Sequence, residues 1–266
     1  MKPVKIAVAG CCGRMGRAIV RLAALSKQFE LAAAFAGAQD PNQGKDAGVV
    51  AGVGELGIPV RTRGDVAADV LIEFTNPRSA CDYAGWCAES GIALVSGTTG
   101  LNEETRQAHR TAAQRVPVVW SPNMSVGVNI LLTLVRQVAS TLGEDWDVEI
   151  SETHHRHKAD APSGTARALL EAVCAGRHDD PRQVAVFGRE GIGGGRNPGQ
   201  IGVHALRMGE VVGDHDVHFA SSTEILTLTH RAQSRDTFAV GSLRAAEWVA
   251  GRVAGLYSMK DVLSLA

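Results

Sequence analysis

The sequence predicts an α/β protein in two parts: an N-terminal doubly wound parallel sheet covered by helices, then a second α+β domain with a mixed or mainly antiparallel sheet. Three observations carry this expectation. Up to about residue 125, short runs rich in β-branched residues alternate with longer stretches of helical periodicity. A glycine-rich turn directly follows the first apolar run. After Ser121 and Pro122 the rhythm changes, and between residues 184 and 231 strands follow one another with little helix between them.

In order along the chain, strands are expected at VKIAVA (4–9), LAAAF (31–35), VLIEF (70–74), ALVS (93–96) and VPVVW (116–120). Helices are expected near 14–26, 78–90 and 103–115, the second started by Asn76 and Pro77 and the third capped by Asn102. A long helix near 127–142 then leads into the strand DVEISET and a histidine-rich stretch. Ser163, Gly164 and Thr165 open the amphipathic run TARALLEAV. Strands follow in QVAVF, IGVHALR, EVVGDHDVHFA and EILTLTHRA, before helical periodicity returns in TFAVGSLRAAEWVAGRV and the short MKDVL closes the chain. The expected division is 1–125 with 236–266 as one domain and 126–235 as the other, the closing helices packing back on the first.

The 266 residues are 45% hydrophobic, enough for a real core, and the formal net charge is −1. Such a balance provides no broad field for nucleic acid or an anionic membrane, so a local basic cluster reads as a site. The N-terminal MKPVKIAVAG lacks a signal-peptide pattern and no segment is apolar enough to span a bilayer, so a cytoplasmic location is expected. Five cysteines without CxxC spacing argue against a disulfide framework or a cysteine metal site.

Gly10, Gly13 and Gly16 lie between the first strand and the first helix, the placement of a Rossmann-like dinucleotide turn. Glycine there permits a tight turn and lets a pyrophosphate approach the backbone, with the helix N-terminus aimed at it. The spacing is GxxGxxG rather than GxGxxG. At the end of the second strand, Ala36 and Gly37 offer neither a carboxylate for the ribose hydroxyls nor a cation for a 2′-phosphate, and Arg14 at the helix start is a possible substitute. The choice between NADH and NADPH therefore stays open. The loops SGTTG and SPNMSVG stand at the carboxyl ends of expected strands, where ligands of such sheets bind.

The stretch ETHHRHKADAPSGTA combines His154, His155, His157 and Lys158 with a helix start suited to an anion. A metal site fits poorly, because HHRH matches no HExxH pattern and Arg156 and Lys158 repel a cation, so no metal is expected. Structural histidines tied into loop hydrogen bonds are the plain alternative. His204, His215, His218 and His230 read as ordinary strand histidines, His215 and His218 on opposite faces. REGIGGGRNPGQ, with Arg189, Glu190 and Arg196, reads as a loop able to close over an anion.

Taken together, AGCCGRMGR, EFTNP, SGTTG, SPNMSVGVN, ETHHRHKADAPSGTA, the REG loop and GLYSMKDVL closely resemble the dihydrodipicolinate reductase family, nearly end to end. The resemblance implies an enzyme using NADH or NADPH to reduce 4-hydroxy-tetrahydrodipicolinate, a small cyclic dicarboxylate, with loss of water, in lysine and diaminopimelate biosynthesis. It also implies a homotetramer assembled through the sheets of the second domain. By the same resemblance His154 is the acid/base histidine and Lys158 the proton donor, with the division between them open. His155, Gly164 and Thr165 bind substrate. Gly10, Cys11, Cys12, Gly13, Arg14 and Met15 form the pyrophosphate loop, and Gly97, Thr98, Thr99, Ser121, Pro122, Asn123 and Met124 line the nicotinamide side. Ala36 and Gly37 depart from the acidic and basic pair frequent in the family. Another two-domain dehydrogenase of a small anion, or a nucleotide-binding sensor without catalysis, are the competing readings.

Overall fold

The computed structural model describes residues 2–265, so the expected domain ends at Met1 and Ala266 lie outside the described residues. In chain order the first elements are β1 (Val4–Ala9), α1 (Arg14–Ala24), β2 (Phe29–Phe35), α2 (Ala47–Ala51), β3 (Val60–Arg61), β4 (Val70–Glu73) and α3 (Pro77–Ser90). Next come β5 (Ala93–Ser96), α4 (Glu103–Ala112), β6 (Pro117–Trp120), α5 (Val126–Leu142), β7 (Asp147–His154) and α6 (Gly164–Arg177). The remainder is α7 (Pro181–Val184), β8 (Ala185–Phe187), β9 (Ile201–Arg207), β10 (Asp214–Ala220), β11 (Ile225–Arg231), α8 (Asp236–Val249), β12 (Gly255–Tyr257) and α9 (Met259–Val262). The described residues divide into two compact units, 2–126 with 235–265, and 127–234.

The first unit holds a parallel sheet in the order β12-β6-β5-β4-β1-β2-β3. Its strands read as continuous apolar runs because helices cover both faces. Ile6 and Val8 join one core cluster, which takes in Ile19, Val20 and Leu243 of α1 and α8. Ala7 and Ala9 point the other way, into the cluster containing Tyr83, Ala84 and Cys87 of α3. Strand order reverses between β1 and β4, which places the carboxyl-end loops of those strands at a switch point, the usual ligand crevice of an open α/β sheet.

The second unit holds a five-stranded sheet in the order β11-β10-β7-β9-β8. Two of its pairings are antiparallel, β10 with β11 and with β7, and two are parallel, β7 with β9 and β8 with β9, so the sheet is mixed rather than mainly antiparallel. One face packs against α5 and α6 through Leu131, Val135, Leu169 and Val173. On that face the register stacks residues in rows. Val148 lies between Ile201 and Phe219, and Ile150 lies between Val203 and Val217. Glu152 then lies between Ala205 and His215, and His154 beside Arg207. Two apolar rows thus give way to two polar ones toward the carboxyl end of β7.

Candidate functional site

In the first unit, β1 ends in Gly10 at φ +77°, where a Cβ would collide with the Phe74 carbonyl. A Cβ on Gly16, in the first turn of α1, would collide with the Gly10 carbonyl oxygen and come within 2.5 Å of Cys11 Cα. The first turn of α1 carries no acidic side chain, and its N-cap, Gly13, supplies no side-chain cap. These features fit a pyrophosphate: orphan N–H groups and a positive dipole end beside a side-chain-free turn. Arg14 is exposed there, Met15 and Cys12 are half-buried, and Cys11 is buried, its N–H donated to the Phe35 carbonyl at 3.2 Å.

The expected nicotinamide loops are partly committed to the fold. Thr98 is buried and donates its hydroxyl to Glu73 Oε1 at 2.5 Å, so Thr99 is the exposed hydroxyl of the pair. Glu73, fully buried, also accepts from Thr75 and Ser96 and so ties together the loops after β4 and β5. Gly97 makes room for the Phe74 ring. Ser121 closes a local turn with Asn123, and Asn123 accepts the Ser125 N–H. Pro122 is exposed, whereas the Met124 side chain is 1% exposed and belongs to the core, with Gly241 of α8 against its carbonyl. At the ends of β2 and β3 a cavity of about 290 Å³ is lined by Ala36, Thr62, Arg63 and Tyr83 among others. Asp40 is spent on a turn, accepting from the Asn42 N–H, which holds its carboxyl below the usual carboxylate range.

In the second unit the polar rows converge on one carboxylate. Glu152 is 1% exposed. Its Oε1 accepts from the Ser163 N–H at 3.0 Å and Arg207 Nη2 at 2.8 Å, and its Oε2 from Arg207 Nη1 at 2.9 Å and His154 Nδ1 at 2.5 Å. Four donors fill the acceptor capacity of an ionised carboxylate. Burial pushes the Glu152 carboxyl up, but the hydrogen bonds from Arg207, His154 and Ser163 outweigh it and hold the group below its ordinary value. With Nδ1 of His154 engaged, Nε2 is the nitrogen left for chemistry, and it faces Gly213, where a Cβ would stand 3.0 Å away.

Lys158 follows a turn closed by its N–H to the His155 carbonyl, and its Nζ lies 2.8 Å from Asp160 Oδ1. His155 is half-buried with its ring 6.1 Å from that of His157, and His157 is exposed beside Glu210. Ser163 caps α6, its hydroxyl accepting the Ala166 N–H. Gly164 is exposed, and a Cβ there would meet nothing within 4 Å, so the α6 N-terminus opens onto free space for a carboxylate. Thr165 follows in the same turn. Glu152 therefore joins His154 to the α6 start, Arg207 ties the Lys158 turn to the same carboxylate, and His155 follows His154 in the chain.

Sequence reasoning passed over three members of this arrangement. Glu152 was signalled by its i, i+2 spacing from His154, which puts both on one face of β7. Arg207 arrives from β9 and His215 from β10. His215 is not an ordinary strand histidine: it is buried, its ring is 5.2 Å from that of His154, and its Nε2 lies 3.3 Å from Ser163 Oγ. Burial first, then the neighbouring His154, lowers its pKa to about 4. The arginines of the REG loop, by contrast, do not wait for an anion. Arg189 and Arg196 both bind Glu149, and Arg196 also binds the Val148 and Gln200 carbonyls, at the opposite end of β7. Among the described residues there is no metal-binding cluster.

The buried His215 predicts an acid-sensitive fold. A histidine whose pKa falls on folding, here from 6.5 to about 4, leaves stability intact above the unfolded value and removes it as pH drops between the two. Urea unfolding is expected to show a loss of about 2 kcal/mol between roughly pH 7 and pH 5 from this group, diminished in His215→Asn. An unchanged acid slope in that variant would rule out the contribution.

A glycine-turn nucleotide unit joined to a separate unit with an anion cradle and proton-carrying side chains is the plan of a two-domain pyridine-nucleotide reductase. The family within that class follows from comparison with known proteins. The family descriptions "Dihydrodipicolinate reductase, N-terminus" and "Dihydrodipicolinate reductase, C-terminus" match residues 4–124 and 127–263. The chain belongs to the dihydrodipicolinate reductase family. It is 49% identical over 98% of its length to a 4-hydroxy-tetrahydrodipicolinate reductase of Anaeromyxobacter sp. (strain Fw109-5), covering 98% of that protein. It is 47% identical to a protein of the same name from Thiobacillus denitrificans, over 98% of this chain and 99% of that one. A solved structure, dipicolinate-bound dihydrodipicolinate reductase from Paenisporosarcina sp. TG-14, shares the fold with a TM-score of 0.76 at 22% identity, over 96% of this chain and 97% of that one. The α/β class and the mixed second sheet stand as expected.

Proposed function

We propose that this chain catalyses reduction of 4-hydroxy-tetrahydrodipicolinate by NADH or NADPH, with one proton taken up and one water lost, yielding tetrahydrodipicolinate for lysine and diaminopimelate biosynthesis. The observation that carries this reading is the convergence of His154, Lys158 and the open α6 N-terminus around the buried Glu152, in a chain of this family. The reduced nicotinamide supplies a hydride when bound. The Gly10–Met15 turn and the exposed groups of the loops after β5 and β6 hold the dinucleotide. The Gly164 and Thr165 backbone and hydroxyl hold one substrate carboxylate against the positive end of α6, and His155 contributes a further contact. Lys158 and His154 hold the proton and stabilise the anionic substrate electrostatically.

Two further observations bear on location and assembly. All five cysteines are free thiols, as in a reducing cytoplasm, and no helix among the described residues is long and apolar enough to cross a membrane. The sheet face away from α5 and α6 carries His204, Leu206, His218 and Ile225, with Ile225 70% exposed, and suits assembly of four copies through their sheets. Light scattering is expected to give a tetramer, and a monomer at assay concentration would overturn that element.

The deciding assay generates the cyclic dicarboxylate with its synthase and follows absorbance with NADH and NADPH in parallel. Dicarboxylate-dependent oxidation of either cofactor supports the reading. Cofactor binding without oxidation of either one would refute it. With no carboxylate at the end of β2 and Arg63 lining the adjoining cavity, turnover with NADPH as well as NADH is expected.

A further inference from the structure

Arg207 touches both the carboxylate partner of His154 and the turn that carries Lys158. Its guanidinium forms the fork on Glu152, and Glu152 in turn holds His154 Nδ1. The same guanidinium donates through Nε to the Lys158 carbonyl at 3.3 Å and through Nη2 to the Asp160 carbonyl at 2.6 Å. Those carbonyls belong to the turn that carries the Lys158 ammonium and its carboxylate partner Asp160. One side chain, 20% exposed, therefore spans the end of β7 and the loop after it. We propose that Arg207, acting with Glu152, is a positioning residue that fixes the His154 tautomer and the Lys158 turn together, so that two proton carriers share one frame.

This inference rests on the reading of His154 and Lys158 given above. Its physical basis is the difference between an arginine and any other cation. A planar fork can satisfy both oxygens of a carboxylate and still present an edge to main-chain carbonyls, whereas an ammonium is a point charge. Buried carboxylate and guanidinium also hold each other's charge in balance beside His154. The charged and titratable groups facing that imidazole are Glu152 on its own strand, Arg207 on β9 and His215 on β10, and the Lys158–Asp160 pair is held by Arg207 through the loop. His215 stays neutral at assay pH because burial depresses it. The local field on His154 is therefore set by Glu152 and Arg207, with opposite signs.

The test compares Glu152→Gln, Arg207→Gln and Arg207→Lys with His154→Ala, measuring kcat, KM for the dicarboxylate, the pH profile of kcat and NADH affinity by fluorescence. Each of the three is expected to lower kcat about 10- to 100-fold, the order of loss when an outer hydrogen-bond partner that orients a ligand histidine is removed from a metal site. NADH affinity is expected to stay at the wild-type value. A limb of the pH profile of kcat is expected to move to lower pH in Glu152→Gln, which removes a negative charge from the site, and to higher pH in Arg207→Gln, which removes a positive one. In Arg207→Lys the limb stays while kcat falls, because charge is kept and the fork is lost. Removing one member of a buried pair is destabilising, so Arg207→Lys, which retains the charge, serves as the folded variant if either glutamine variant does not fold. Wild-type kcat and an unmoved pH profile in the folded variants, alongside a crippled His154→Ala, would overturn the inference. A fully active His154→Ala would instead overturn the assignment of His154 on which it rests.

Discussion

Replacement of Lys158 by alanine is expected to lower kcat by about 10²- to 10⁴-fold, the range contributed by a positioned proton-transfer group, while thermal stability changes little. The structure separates the two effects. The Lys158 side chain is 22% exposed and its ion-pair partner Asp160 is 62% exposed. An ion pair open to solvent to that extent contributes at most about 1 kcal/mol. Nothing in the buried core depends on the ammonium, since the turn is held through the Lys158 carbonyl by Arg207 and through its N–H by His155. Arginine at this position preserves charge for binding the dicarboxylate but does not release a proton at neutral pH. Lys158→Arg is therefore expected to keep KM near wild type with kcat as low as in the alanine variant. Stopped-flow oxidation of NADH, with a thermal melt on the same preparations, measures both. Near-normal turnover in folded Lys158→Ala would remove this residue from the proton path.

The elements that the sequence reveals are those with enough residues to show a period. Helices α1, α3, α4, α5, α6 and α8 and the strands β1, β2, β4 to β7 and β9 to β11 all stand within a few residues of their expected bounds. The ones it hides are short. Helix α2 has five residues and is set by Asp46, whose carboxylate caps Gly48 and Val49 and also accepts from Leu56 and Ile58. Strand β3 has two residues and β12 has three, and each exists because a longer neighbour, β2 or β6, leaves an edge to pair with. No periodicity is measurable over two or three residues, and edge pairing is a tertiary event. The segment around QVAVF shows the same limit, since Asp180 caps a turn of helix over Pro181–Val184 before the strand begins.

The site divides in a similar way. His154, His155, His157, Gly164 and Thr165 lie in the single stretch 154–165, so their association is visible in the sequence. Arg207 lies 55 residues from Glu152, and His215 lies 52 from Ser163. Alternation reveals that Ile201, Val203 and Arg207 share a face, as do His215, Val217 and Phe219, but it does not give the register that sets them beside β7. The arginines of the REG loop misled for a related reason. A basic, glycine-rich loop resembles an anion lid, yet the bare backbone of Gly202, where a Cβ would overlap the Glu149 carboxylate, gives Glu149 room to gather both of them. The loop position of Met124 does not reveal that its side chain is buried in the core of the first unit.

The same accounting of space predicts the second large effect. Gly16→Ala is expected to weaken NADH binding by about ten- to a hundredfold and to lower stability by about 1–3 kcal/mol. The new methyl group would collide with the Gly10 carbonyl oxygen, 2.5 Å from Cys11 Cα and 2.7 Å from the Gly10 carbonyl carbon. All three are main-chain atoms, so no side-chain rotation relieves the overlap. Gly10 is itself pinned by φ +77° and by its N–H bond to the Phe35 carbonyl at 2.9 Å. The strain therefore shifts either the pyrophosphate turn or the start of α1, and both belong to the proposed cradle. Gly85→Ala provides the contrast. It lies inside α3, exposed, with nothing within 4 Å of the added carbon. There the same substitution is expected to stabilise the protein by about 1 kcal/mol through helix propensity, with NADH affinity unchanged. Fluorescence titration and urea unfolding of the two variants read opposite signs from one chemical change. Wild-type affinity in Gly16→Ala would show that the turn after β1 does not hold the cofactor.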